Sequence, residues 1–81
     1  MSKWNKLIKK LYRLDPGMRF EEIKTILEKT GYVGTENGSS HITFRKKGHT
    51  PVTIPRHGRV KKAYLEIVRE AVKEENIHEN T

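Results

Sequence analysis

HITFRKKGHTPVTIP, residues 41–55, is the stretch whose reading decides the fold. Ile42 and Phe44 point one way, while His41, Thr43 and Arg45 point the other. That is the period of two of a half-buried strand. Lys47, Gly48 and His49 make a turn, after which Val52 and Ile54 resume the apolar phase with Thr53 opposite. Pro55 ends the second strand, because it has no N–H to give to a ladder. The stretch reads as an antiparallel hairpin with one apolar face, and such a face has to be covered.

The cover lies on both sides of the hairpin in sequence. Tyr32-Val33-Gly34-Thr35 is a third, short strand, joined to the hairpin by the turn residues Asn37-Gly38-Ser39. Before it, Phe20, Ile23, Ile26, Leu27 and Thr30 recur at helical spacing and predict a helix over about 19–30. Glu21 and Glu22 sit in its first turn, where they suit the helix dipole, and Gly31 suits its C-terminal cap. Asp15-Pro16-Gly17 separates that helix from an earlier one, over about 3–13, whose stripe is Trp4, Leu7, Ile8 and Leu11. After the hairpin, Val60, Tyr64, Ile67, Val68, Ala71 and Val72 predict a last helix over about 60–75. Residues 76–81 are polar and read as a flexible tail. The expectation is one α+β domain over residues 1–81 in the order α-α-β-β-β-α. A three-stranded antiparallel sheet is covered by helices on one face, and residues 1–15 supply an additional N-terminal helix.

Charge is distributed unevenly along this framework. The 81 residues carry a net charge of +7. Residues 37–65 contain Arg45, Lys46, Lys47, Arg56, Arg59, Lys61 and Lys62 and no Asp or Glu. A one-signed block of this kind attracts polyanions. Cysteine is absent, which excludes a disulfide scaffold, a cysteine-ligated zinc site and a cysteine nucleophile. No stretch approaches the ~20 apolar residues of a membrane span. The polar start lacks the apolar run of a signal peptide. The expected location is the cytoplasm, with no membrane partner.

Strand alternation puts His41 on the face away from Ile42 and Phe44, at the end of the hairpin opposite its turn. Pro55, Arg56 and His57 return to that end, and the last helix starts there with Arg59, Lys61 and Lys62. An imidazole, with an ordinary pKa of ~6.5, can take or give a proton near neutrality. RNA brings its own nucleophile, the 2′-OH, so one histidine and a few cations to steady the phosphoryl oxygens are a sufficient set. No cofactor and no metal are expected. His41, His49 and His57 match no zinc-ligand spacing, and no acid joins them. His57 is a possible second proton-transfer or phosphate-binding group, while His49 in the turn and His78 in the tail read as solvated residues. Trp4 and the tyrosines read as packing residues. The same block would also serve a module that binds double-stranded RNA through its 45–62 surface without cleaving it.

Two segments carry a resemblance. Gly38-Ser39-Ser40-His41-Ile42-Thr43-Phe44-Arg45, then Val52-Thr53-Ile54-Pro55-Arg56-His57 and a basic helix, resemble the HicA-type mRNA interferase toxins, also called YcfA/HicA-like. The likeness spans about residues 19–73. It implies a fold similar to double-stranded-RNA-binding domains, α-β-β-β-α, and metal-independent endonucleolytic cleavage of mRNA. It also implies a HicB-like antitoxin that masks the site, so that the toxin is a monomer or is held in a complex with its antitoxin. The family's catalytic histidine falls on His41. Contacts to RNA are expected from Arg45, Lys46, Lys47, Arg56, His57, Arg59, Lys61 and Lys62.

Overall fold

The computed structural model describes residues 3–36, 38, 40–56 and 58–73. The order is α1 (Lys3–Tyr12), α2 (Phe20–Lys29), β1 (Val33–Glu36), β2 (His41–Arg45), β3 (Val52–Pro55) and α3 (Lys62–Lys73). The strands form one antiparallel sheet in the order β1-β2-β3. Ile42 faces Ile54 and Phe44 faces Val52, in the register the alternation requires. The expected α+β arrangement is therefore present. The tail at 76–81, His78, Ser39 and His57 lie outside the described residues.

α2 and α3 cover one face of the sheet, and α1 packs on α2 and α3. The core between the helices and the sheet is built from Phe20, Ile23, Ile26 and Leu27 of α2, Ile42, Phe44, Val52 and Ile54 of the sheet, and Leu65, Val68 and Val72 of α3. α1 buries only Leu11 completely, while Trp4, Leu7 and Ile8 are half-buried against the core. An ion pair from Lys10 to Glu22 at 2.8 Å ties α1 to α2. The Arg69 guanidinium, donating to the Tyr12 carbonyl at 3.1 Å, ties it to α3.

One expectation about the last helix needs correction. Ile67 is 50% exposed, and Leu65 is buried in its place. The line that meets the core is Leu65, Val68 and Val72, spaced i, i+3 and i+7. Ile67 stands roughly 100° round the helix from Val68, and faces a groove shared with Ala63, Ala71 and Pro51. The helix also starts later than expected, at Lys62. The preceding residues pair with another segment: the Val60 N–H donates to the Met18 carbonyl at 2.9 Å and the Phe20 N–H to the Gly58 carbonyl at 3.3 Å.

Both α1 and α2 end in the same hydrogen-bond pattern. Tyr32 N–H donates to the Leu27 carbonyl and Gly31 N–H to the Glu28 carbonyl, with Gly31 at φ 100°. This is the left-handed C′ position, where glycine costs nothing sterically. After α1 the corresponding bonds run from Asp15 to Lys10 and from Leu14 to Leu11. There the left-handed residue is Leu14, at φ 54°, whose side chain packs against the core.

Glu22 joins two jobs. Its carboxylate accepts from the Arg19 N–H at 3.0 Å, closing the N-terminus of α2, and from Lys10 at 2.8 Å. Partial burial raises its pKa, but the hydrogen bonds from Lys10 and Arg19 and the Lys10 charge outweigh that, and the net shift is downward from 4.5. A carboxylate whose folded pKa is depressed adds stability above its unfolded pKa and loses it as pH falls through the folded value. Thermal stability is therefore expected to drop as pH falls below about 4.5, and Glu22→Gln to flatten part of that drop. Asp15, held low by Arg13 and the Gly17 N–H, supplies another part. Melting curves of wild type and Glu22→Gln between pH 3 and 7 test this; parallel acid limbs would refute the role of Glu22.

Candidate nucleic-acid interface

His41 is the first residue of β2 and is exposed. Its ladder partner is Pro55, at a non-hydrogen-bonded pair, where the missing N–H would point away from β2 and costs the ladder nothing. The Arg56 N–H closes this end of the ladder by donating to the Ser40 carbonyl at 2.8 Å. The backbone carrying His41 is thus fixed on both sides while its ring faces outward. Ser40 Oγ lies 3.3 Å from His41 Nδ1. If Nδ1 donates to the serine, Nε2 holds the lone pair and suits a base. If the serine donates to Nδ1, Nε2 carries the proton and suits an acid.

The face around His41 is the one left uncovered by helices. Val33, Thr35, Thr43, Arg45 and Thr53 share it. Thr35, Thr43 and Thr53 stand in register across all three strands, and the hydroxyls of Thr43 and Thr53 are 3.1 Å apart. Val33 is 68% exposed. Among the described residues of this face there is no Asp or Glu.

The cations expected to meet RNA divide into three groups. Arg45 is exposed on the His41 face, at the far end of β2, and Lys47 is exposed in the turn. Arg59, Lys61 and Lys62 are exposed just before α3 and at its start. The other two described cations are engaged with the protein. Lys46 donates to the Thr30 carbonyl at the end of α2 at 2.8 Å and lies 5.8 Å from the centre of the Tyr32 ring. Arg56 pairs with Glu36, and both line a depression on the helix-covered side with Phe20 and Ile42. The alternation already holds this information. Lys46 shares the phase of Ile42 and Phe44, and Arg56 that of Val52 and Ile54, so both side chains start toward the helices. Glu36 was not singled out in the sequence, yet its register opposite Ile42 puts it on that same side.

Among the described residues, no three His, Cys, Asp or Glu side chains gather where they could hold a metal ion. No described helix is long and apolar enough to cross a membrane.

No curated protein and no solved structure matches the chain. Residues 20–73 match the family model of the HicA toxin of bacterial toxin–antitoxin systems. The match runs from the first residue of α2 to the last of α3 and takes in the whole sheet and His41, while α1 lies outside it. With well over half of its length matched, and with the α-β-β-β-α core that the hairpin motifs demanded, the chain belongs to the HicA toxin family.

Proposed function

We propose that this toxin is a metal-independent mRNA endonuclease in which His41 transfers the protons. The observation that carries the reading is the placement of His41: an exposed imidazole on a fixed strand end, on a sheet face with no Asp or Glu among its described residues. Neutral His41 takes the proton of a ribose 2′-OH, and that oxygen attacks the adjacent phosphorus. The P–O5′ bond breaks, and the departing O5′ takes a proton from imidazolium or solvent. The products are a 2′,3′-cyclic phosphate and a 5′-OH end. Because the nucleophile comes with the substrate, no metal-bound hydroxide is required.

Arg45, Lys47, Arg59, Lys61 and Lys62 serve as phosphate contacts, with the electrostatic attraction of the acid-free block behind them. Lys46 and Arg56 can contribute charge, though their donors already serve α2 and Glu36. A second proton-transfer role for His57 rests on its motif alone. A HicB-like antitoxin would silence the enzyme in the cytoplasm by covering the His41 face.

The test is incubation of the purified protein with mRNA in EDTA, followed by mapping of the termini. Fragments with 5′-OH ends are expected. Intact RNA, or cleavage only after a divalent ion is restored, would overturn the reading. Tight binding of duplex RNA without any product would favour the non-catalytic binding module instead.

A further inference from the structure

The short clasp between residues 18–20 and 58–60 puts two arginines directly opposite each other. Arg19 and Arg59 are the partners of its isolated antiparallel bridge, and both are exposed. Like charges facing each other across strands are destabilising. Among the described residues, no carboxylate pairs with the side chain of Arg19, Arg59, Lys61 or Lys62. Beside the clasp, Leu14, Pro16 and Val60 form an apolar floor, and Arg13, Arg59, Lys61 and Lys62 stand around it. The hollow measures about 490 Å³, and among the described residues no acid lines it. The nearest carboxylate in sequence, Asp15, is taken up by Arg13 Nη2 and the Gly17 N–H, each at 2.8 Å. The Arg13 side chain stays 67% exposed all the same.

The geometry points to a backbone-gripping subsite for RNA, made by Arg13, Arg19, Arg59, Lys61 and Lys62 and separate from the reacting groups. Three stretches of chain build it, and two of its five cations come from the part of the sequence where acids are common. The repulsion between Arg19 and Arg59 is relieved when phosphates lie between them, and the apolar floor suits the sugar face of a nucleotide. Its place relative to His41 selects a nucleic acid strand as the occupant. Pro55 is the ladder partner of His41, and Arg59 follows four residues later. Four residues span at most ~14 Å and a ladder pair adds ~5 Å, so the Cα of Arg59 lies within roughly 20 Å of that of His41. A strand reacting at His41 reaches the subsite with phosphates a few nucleotides away. The subsite then holds substrate equally in ground and transition states, which changes KM and leaves kcat alone.

This inference rests on the RNA-cleaving reading, and its test separates the two. A fluorescein-labelled 20-nucleotide single-stranded RNA is titrated into the His41→Ala protein, with and without Arg13→Gln, Arg59→Gln, Lys61→Gln and Lys62→Gln together. The four changes are expected to weaken binding at least ten-fold at 0.1 M salt. They should also make the logarithmic salt dependence shallower by roughly 2 to 3, at ~0.7 per phosphate contact. Lys6→Gln with Lys24→Gln, which removes charge elsewhere, should change the affinity less than two-fold. In the active protein the four changes should raise KM and leave kcat within two-fold. Arg59→Gln alone should hold or raise the melting temperature, since it removes a repulsion. Equal binding by the four-fold variant, or an equal loss in the Lys6/Lys24 control, overturns the subsite and leaves the catalytic reading standing. Absence of any RNA binding by the His41→Ala protein and by wild type alike removes both.

Discussion

Replacing His41 with alanine is expected to lower RNA cleavage by about 10²- to 10⁴-fold, the usual worth of a positioned proton-transfer group, without shifting the melting temperature measurably. The stability half follows from position: the ring is exposed at the last rung of the β2–β3 ladder, and its removal opens no cavity. Growth arrest on induced expression should disappear together with the activity. Ser40→Ala is expected to have a smaller effect, under ten-fold, because the serine touches only Nδ1. Cleavage by His41→Ala at the wild-type rate would remove the histidine from the mechanism. A variant that loses activity but also melts early would show that the side chain has a structural role that its exposure argues against.

The face carrying His41 was legible because a strand obeys a strict period of two. Ile42 and Phe44 fix the phase, and everything on the hairpin follows, including the inward starts of Lys46 and Arg56. What could not be read from the hairpin was where those inward cations end. That depends on the carbonyl left over at the end of α2, which Lys46 finds at Thr30, and on the acid that β1 brings alongside, which Arg56 finds at Glu36. Both are long-range pairings, invisible to local periodicity. The exchange of Ile67 for Leu65 has another cause. With apolar residues at 64, 65, 67, 68, 71 and 72, the helix has two plausible stripes. Only the crossing of α3 over β3 chooses between them. The Arg19–Arg59 bridge was equally hidden, since periodicity starts the last helix at about residue 60 and does not show that residues 58–60 form a clasp with residues 18–20.

The largest expected effect on stability belongs to Phe44, on the other side of the same strand. Its ring is fully buried, lies 6.3 Å from that of Phe20 and rests against Gly34 of β1. A Cβ built on Gly34 would stand 2.8 Å from Phe44 Cε2, 3.1 Å from Cδ2 and 3.2 Å from a methyl carbon of Ile42. Gly34 is therefore required for space, since its φ is ordinary, and the bare backbone there is covered by the aromatic ring. Phe44→Ala is expected to cost about 3–5 kcal/mol. For a chain of this length that is a large share of a total stability of about 5–15 kcal/mol. Gly34→Ala should cost about 1–3 kcal/mol through overpacking. The decisive measurement is the double-mutant cycle by denaturant unfolding. Gly34→Ala in a Phe44→Leu background should cost less than in the wild type, because the smaller side chain yields to the new methyl. Strict additivity would mean that the two residues do not share the contact. Cleavage per folded molecule should be unaffected by Phe44→Leu, since His41 hangs from the opposite face of β2. One five-residue strand thus has two sides: its even positions are buried in the core, and its odd positions stand on the face that no helix covers.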